Sequence, residues 1–281
     1  MQRKIITEET VKKFFLYLQD EERSKNTIDK YLRDVRAFAS YVSGSDLKKE
    51  NVITYKNKLL SENYSVNSIN SMLAALNSFF SFIKRDDLKI KFLKIQRHTY
   101  CSAEKELTKS EYIRLVNTAR LNGNDRLCLV IQTICGTGIR VSELRYITLE
   151  AARRGKAVVS LKGKTRAIFI VRELQKKLLR YSSEHGIKSG PIFVTRTGNP
   201  ISRSNIWREM KNLCVLAKVN PKKVFPHNLR HLFARTFYGI EKDIAKLSDI
   251  LGHSSIDTTR IYIVSTGTEH RRRMENMRLI I

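Results

Sequence analysis

Residues 156–171 read KAVVSLKGKTRAIFIV and contain two β-rich runs, KAVVSL at 156–161 and RAIFIV at 166–171. The four residues 162–165 separate the runs and include a glycine. Two short runs rich in β-branched residues, joined by a glycine-containing turn, predict an antiparallel hairpin. Because the sequence on both sides of this hairpin is helical in pattern, we predict a mainly α-helical chain with a small antiparallel β-sheet.

The chain before residue 88 is patterned as four amphipathic helices, since apolar residues recur there at steps of three and four. We predict that the second helix is capped by Asn26 and that the third begins near Asp46. Short polar links join the four patterns, which is typical of a small bundle. Residues 1–88 are therefore predicted to form a four-helix domain.

Residues 89–105 are charged and lack a sustained apolar stripe, so we predict a linker between domains there. Two interpretations of this basic segment stay open, a solvated connection and a contact with a phosphate backbone. Residues 106–281 are predicted to form a mixed α/β domain. Besides the hairpin, its predicted helices lie at 109–121, 124–136, from near Val141, 172–184, 202–217, 227–239 and 242–251.

The charge of the chain points to a polyanionic partner. Lys and Arg number 53 against 27 Asp and Glu, so the net charge is +26 over 281 residues. Nucleic acid is favoured over a membrane surface, because no segment resembles a membrane span, a lipid anchor or a secretory signal. We therefore expect a cytoplasmic protein with no membrane association. The four cysteines form no C-x-x-C pair and are expected to be reduced.

Neither a nucleotide cofactor nor a metal is expected. Gly163-Lys164-Thr165 is similar to the end of a phosphate-binding loop, but Val158 stands where that motif requires glycine, and a strand follows instead of a helix. No cluster of histidines, cysteines or carboxylates has metal-binding spacing.

Several polar residues lie within apolar surroundings. Arg140 and Glu143 fall in LVIQTICGTGIRVSEL (129–144), which fits either a buried ion pair or an anion site. His227 and Arg230 fall in PHNLRHLFARTFY (226–238) and share one helical face, an arrangement that suits a phosphate. LGHSSIDTTRIY (251–262) adds His253 and Tyr262. Taken alone, a tyrosine between two isoleucines is a core residue.

Taken in order, these segments resemble the tyrosine recombinase (phage integrase) family, with an Xer-like organisation. The family signature is an arginine, a hairpin lysine, His-x-x-Arg, a second histidine, and a tyrosine nine residues later. The matching residues are Arg140, Lys162, His227, Arg230, His253 and Tyr262. The four helices resemble the core-binding domain of the family, which would make residues 106–281 the catalytic domain.

The resemblance implies a site-specific DNA recombinase. Tyr262 would be the nucleophile, Lys162 the general acid and His227 the base, with Glu143 supporting Arg140; Lys164 stays open as the alternative general acid. DNA contacts are expected from a further set of polar residues, namely Lys25, Asn26, Thr27, Lys30, Asn67, Lys164 and Arg166.

The family likeness also implies a homotetramer on two sites of double-stranded DNA, with no cofactor because the ester energy is kept in the phosphotyrosine bond. The tail after Tyr262 is expected to dock either in its own subunit or in a neighbour. Two other functions stay open, a type IB topoisomerase-like DNA relaxase and a non-catalytic DNA-binding relative.

Overall fold

The computed structural model describes residues 6–43, 46–95, 104, 106–161, 164–263 and 274–277. The chain divides into two compact units, Met1–Arg97 and His98–Ile281. The helices of the first unit are α1 (Glu8–Asp20), α2 (Lys25–Tyr41), α3 (Lys49–Ser61) and α4 (Val66–Phe82). The predicted four-helix domain is confirmed.

Aromatic side chains fill the core of the first unit. Phe14 of α1 and Phe79 of α4 meet edge to face, with ring centroids 5.2 Å apart, and both are fully buried. Two predicted helix starts were wrong by a few residues. Ser24 stands at the N-cap position of α2 in place of Asn26, and α3 begins at Lys49 after the predicted Asp46. Polar residues cluster at both positions, so the local sequence does not single out one cap.

Residues 89–95 of the predicted linker pack on the helices of the first unit. Asn77 pairs its side-chain amide with the backbone of Ile90, at 3.0 Å and 3.2 Å. Asn70 pairs in the same way with Leu93, at 2.8 Å for both bonds. An asparagine amide can satisfy a backbone N–H and C=O together, which holds this extended segment on α4 without a helix or strand of its own.

The second unit surrounds the predicted hairpin with helices. Its strands are β1 (Lys156–Leu161) and β2 (Lys164–Phe169), antiparallel, with Val159 opposite Arg166. Its helices are α5 (Lys109–Leu121), α6 (Asp125–Thr137), α7 (Leu149–Arg154), α8 (Arg172–Glu184), α9 (Arg203–Leu216), α10 (Pro226–Glu241), α11 (Ile244–Leu251) and α12 (Ile256–Ile263). The predicted fold class is confirmed.

Three local features differ from the predictions. The helix expected from Val141 is a 3₁₀ helix over Val141–Tyr146. The six-residue helix α7 was not predicted; it lies between the N-cap Thr148 and Gly155, which ends it at φ 70°. Strand β2 begins at Lys164, two residues earlier than predicted, because the ladder pairs it with Leu161.

Within the described residues, no helix is long and apolar enough to cross a membrane.

Candidate active site

Helix α10 supplies three residues of the site from one face of its first turns. Pro226 is its first residue, so His227, Arg230 and His231 follow at spacings that place them side by side. Arg230 is 1% exposed and is the largest fully buried side chain described. It donates to the carbonyl oxygen of Gly138, and its Nη2 lies 2.9 Å from Nε2 of His253.

Arg230 is a buried cation without a carboxylate in contact among the described residues. Burial, and then the charge of Arg140, lower the pKa of Arg230 from 12.5 to about 10. Burying a charged guanidinium without a counter-ion is energetically unfavourable. The site therefore favours binding of an anion, which would supply the missing counter-charge and replace the lost contacts with water.

Arg140 precedes the 3₁₀ helix and is oriented by Glu143. Its backbone N–H and its Nη1 both donate to the Glu143 carboxylate at 3.0 Å, and its Nη2 donates to the carbonyl of Gly252 at 3.1 Å. Glu143 is 1% exposed, whereas the Arg140 side chain is 39% exposed. Burial alone would raise the pKa of Glu143, but the Arg140 N–H and the nearby guanidinium charges outweigh it and lower that pKa. The ion pair of the first interpretation is present, whereas the anion site stays a prediction, for which the solvent-exposed side of Arg140 leaves room.

His253 follows Gly252, which ends α11 in the left-handed region at φ 64°. A guanidinium only donates hydrogen bonds, so Nε2 of His253 accepts from Arg230. The ring proton is then on Nδ1, which donates to Oγ1 of Thr259 at 2.8 Å. Burial, and next the charge of Arg230, lower the pKa of His253 to about 4, in agreement with a neutral ring.

Tyr262 lies on α12 with its ring among three histidines. The ring of His231 stacks on it at 4.2 Å between centroids, His253 is at 5.1 Å and His227 at 5.2 Å. The guanidinium carbon of Arg230 is 5.8 Å from the centre of the same ring. Tyr262 is 7% exposed. The tertiary structure thus brings the predicted tyrosine to the predicted histidines and arginine.

The two remaining histidines are neutral at pH 7. Burial, followed by the charges of Arg230 and Arg140, lowers the pKa of His227 below 6.5. Burial, followed by the proximity of His227, lowers the pKa of His231 to about 4. A neutral imidazole beside a phenol can accept its proton, so the arrangement can activate Tyr262 as a nucleophile.

A cavity of about 390 Å³ lies on the arginine side of these groups, and Tyr262, His231 and His253 are not among the described residues that line it. Arg140, His227 and Arg230 line it, together with Arg203 and Trp207 of α9. A phosphate is small enough to enter and would meet both guanidiniums. Arg203 and Trp207 were not predicted as site residues, because nothing in their local pattern distinguishes them from other residues on a helix surface.

Sequence reasoning also left two contacts unassigned. The stacking of His231 on Tyr262 and the hydrogen bond from His253 to Thr259 were not predicted. The four-residue step from His227 to His231 was the available signal, because it places both rings on one helical face.

The lysine candidates are only partly described. Lys162 lies outside the described residues, and of Lys164 only the backbone position at the start of β2 is described. The structure therefore brings together Arg140, Glu143, His227, Arg230, His253 and Tyr262, and the assignment of the general acid stays a prediction. Among the described residues, no group of three or more histidine, cysteine or acidic side chains is placed to hold a metal ion.

The residues expected to contact DNA are placed in two ways. Lys25, Asn26 and Thr27 lie at the start of α2 and Asn67 at the start of α4, with Thr27 half-buried and the others exposed. Lys30 is turned inward, since its Nζ donates to Asp34 at 2.5 Å and to the carbonyl of Ser71 at 2.9 Å.

Arg166 also differs from the expectation. Its side chain is only 12% exposed, and both terminal nitrogens bond to the protein, one to Glu143 and one to the carbonyl of Ile250. Burial, outweighing the opposing charge of Glu143, lowers the pKa of Arg166. Lys30 and Arg166 are thus held by the fold itself, because each lies beside a buried carboxylate.

This fold and this set of arginines, histidines and a tyrosine are those of a protein that handles a phosphodiester. Residues 105–269 match the model of the phage integrase family, and residues 11–87 match its N-terminal SAM-like domain. The chain belongs to the phage integrase family, as predicted.

Individual relatives agree with this assignment. The chain is 30% identical to the tyrosine recombinase XerA of Pyrococcus horikoshii, over 98% of this chain and 96% of that protein. It resembles the crystal structure of XerA recombinase with a TM-score of 0.54 and 25% identity, covering 98% of this chain and 100% of that one. A lambda integrase tetramer bound to a Holliday junction shares the fold, with a TM-score of 0.72 and 17% identity, over 91% of this chain and 76% of that one.

Proposed function

We propose that this protein is a site-specific DNA recombinase that cuts and rejoins duplex DNA through a covalent 3′-phosphotyrosine on Tyr262. The observation that carries the proposal is the buried guanidinium of Arg230, without a contacting carboxylate among the described residues and beside the Tyr262 ring. Membership of the phage integrase family and the likeness to a tyrosine recombinase over nearly the whole chain support it.

The chemistry follows from the charges of the site. The phenolic oxygen of Tyr262 attacks phosphorus, the bond from phosphorus to the 5′-oxygen breaks, and the phenolic proton passes to the neutral His227. Arg140 and Arg230 hold the nonbridging oxygens, on which negative charge gathers in the transition state. Lys162 protonates the departing 5′-oxygen. Rejoining reverses these steps when a 5′-hydroxyl attacks the phosphotyrosine, so no external energy source is consumed.

His253 has a separate role in the proposal. In the DNA-free protein its Nε2 accepts a bond from Arg230, so a phosphate that binds Arg230 competes for the same guanidinium. Once that bond is exchanged, the ring can bind a phosphate oxygen only when Nε2 carries the proton. In that tautomer Nδ1 accepts from the Thr259 hydroxyl, which keeps the ring oriented.

The assembly and location are proposed from the same family. Four copies act on two sites of double-stranded DNA and pass through a Holliday junction, the DNA on which the lambda integrase tetramer is bound. The substrate is cellular or element DNA, so the protein acts in the cytoplasm. The net charge of +26 supplies the phosphate contacts that such an assembly needs.

Covalent capture tests the proposal. The protein is incubated with a pool of nicked duplexes of randomised sequence, and protein–DNA adducts that survive denaturation are isolated and sequenced. We expect wild type to enrich one site and Tyr262→Phe to bind that site with unchanged affinity but form no adduct, because only the attacking oxygen is lost.

An adduct formed by Tyr262→Phe would assign the nucleophile to another residue. Failure of the wild-type protein to form any adduct would refute the proposal in favour of a non-catalytic DNA-binding protein. Relaxation of a supercoiled plasmid that lacks the enriched site would favour the relaxase alternative.

A further inference from the structure

Three arginines meet at the carboxyl end of helix α11. The carbonyl oxygens of residues 250–252 accept, in chain order, Nη1 of Arg166 at 2.6 Å, Nη2 of Arg230 at 2.7 Å and Nη2 of Arg140 at 3.1 Å. Each guanidinium therefore takes one of three consecutive carbonyls, immediately before His253.

The end of α11 suits this role for a physical reason. The last carbonyls of a helix have no partner within it and carry the negative end of the helix dipole, so they attract cations. Here the backbone N–H groups of Gly252 and His253 satisfy the carbonyls of Asp249 and Ser248. The carbonyls of residues 250 and 251 are left to arginines, which fixes the guanidiniums to the backbone that leads into the site.

Arg166 is unlike the other two arginines because it does not line the cavity. Its second terminal nitrogen, Nη2, lies 2.5 Å from the carboxylate of Glu143, the group that also holds Arg140. Arg166 thus joins strand β2, Glu143 and the end of α11, at a side chain that is 12% exposed. Both terminal nitrogens of Arg166 are bonded to the protein, so they are not directed at a phosphate in the cavity.

We propose that Arg166 is a positioning residue for DNA cleavage, which holds the Glu143 carboxylate and the end of α11 so that Arg140 and Arg230 point at the scissile phosphate. This inference rests on the proposed function. Arg166 also lies four residues after Lys162 in the sequence, on the strand that begins at Lys164, so the strand that carries Arg166 begins close in sequence to the predicted general acid.

The test compares Arg166→Met and Arg166→Lys with wild type and Arg140→Ala in single-turnover cleavage of the duplex enriched by wild type. Each protein is tested on the ordinary phosphodiester and on a methylphosphonate at the cleaved linkage, with the two diastereomers tested separately. A methylphosphonate lacks one charged nonbridging oxygen. Its cleavage therefore depends less on the stabilisation of transition-state charge by two well-placed guanidiniums.

We expect Arg166→Met to cleave ordinary DNA about 100-fold more slowly, with DNA affinity unchanged, as a small misplacement of a charged group can cause. On the methylphosphonate the defect should shrink by the same factor as that of Arg140→Ala. Arg166→Lys should retain part of the rate, because an ammonium reaches one carbonyl but cannot bridge to Glu143 as well.

A second pair of variants tests the position of Arg166 without removing it. Gly252→Ala places a methyl group against Cδ and Nε of Arg166, whereas Gly186→Ala meets no atom within 4 Å; both glycines have φ +64°. The two variants share the same backbone strain. We expect a cleavage defect only in Gly252→Ala.

The outcomes separate the two proposals. If wild type and Arg140→Ala behave as expected but the Arg166→Met defect is equal on both substrates, Arg166 is merely structural and the inference is refuted. If Arg166→Met mainly lowers DNA affinity, Arg166 contacts DNA as first predicted, and the inference is refuted. If wild type forms no adduct at all, the proposed function fails and the inference fails with it. Should Arg166→Met not fold, Arg166→Lys decides, because the Gly252 carbonyl also holds Arg140.

Discussion

Replacing Glu143 by glutamine should weaken both the second unit and the cleavage reaction. The carboxylate accepts from the Arg140 N–H, from the Arg140 guanidinium and from Arg166, and it is 1% exposed. A glutamine keeps the shape but has one acceptor oxygen, and its NH₂ group then faces a guanidinium. At least one charge-assisted bond is lost, and Arg166 is left buried without its counter-charge.

The size of the effect follows from these contacts. Removing one partner of a buried ion pair costs about 3–5 kcal/mol, because the remaining charge is unsatisfied. For a unit of about 180 residues, each kcal/mol lowers the midpoint of thermal unfolding by roughly 2–4 °C. We therefore expect Glu143→Gln to lower that midpoint by roughly 6–20 °C.

Calorimetry of the full chain measures this change, since the two units can unfold in separate transitions. Glu209→Gln is the matched control, because Glu209 forms a half-buried ion pair with Arg126 at 2.7 Å and has no hydrogen bond or ion pair to a described residue of the site. Below the unfolding range, cleavage by Glu143→Gln should fall about 10-fold to 100-fold, as Arg140 loses its orientation. An unchanged midpoint, or a midpoint lowered no more than in Glu209→Gln, would refute the energetic reasoning.

Two further predictions concern proton transfer and protonation. Lys162→Ala should cleave ordinary DNA slowly and regain its rate on a bridging 5′-phosphorothiolate, because the thiolate leaves without a proton. Lys164→Ala should show a smaller defect that is equal on both substrates. Rescue of Lys164→Ala alone would make Lys164 the general acid. For His231 and His253, the folded pKa of about 4 lies below the ordinary 6.5, so the unfolded chain binds protons that the folded chain does not. Stability should then be complete above pH 6.5 and fall towards pH 5 by up to about 1.4 kcal/mol per pH unit for each histidine. Denaturant midpoints between pH 7 and 5 measure this change in stability. We expect stability to depend less steeply on pH in His231→Phe than in wild type. An identical pH dependence would contradict the contribution assigned to His231.

Family membership and the order of most helices and of the hairpin could be predicted from the amino-acid sequence. Helical periodicity located α4, and the two β-rich runs located the hairpin, because both signals are local and depend on which face of an element is buried. Arg140, Arg230 and Tyr262 could be predicted as residues of one site because their order in the chain matches the signature of the family. Short helices such as α7 were not predicted, because six residues show too little periodicity to be distinguished from a loop.

The contacts between side chains of distant segments could not be predicted from the sequence and follow from the way the helices pack. Arg140 meets Gly252 across 112 residues of sequence, and Arg166 meets the carbonyl of Ile250 across 84. No local pattern shows that Arg166 faces inward while Arg140 faces the cavity, since both are arginines next to apolar residues. Which arginine is covered depends on where the end of α11 packs, and that is a property of the assembled core.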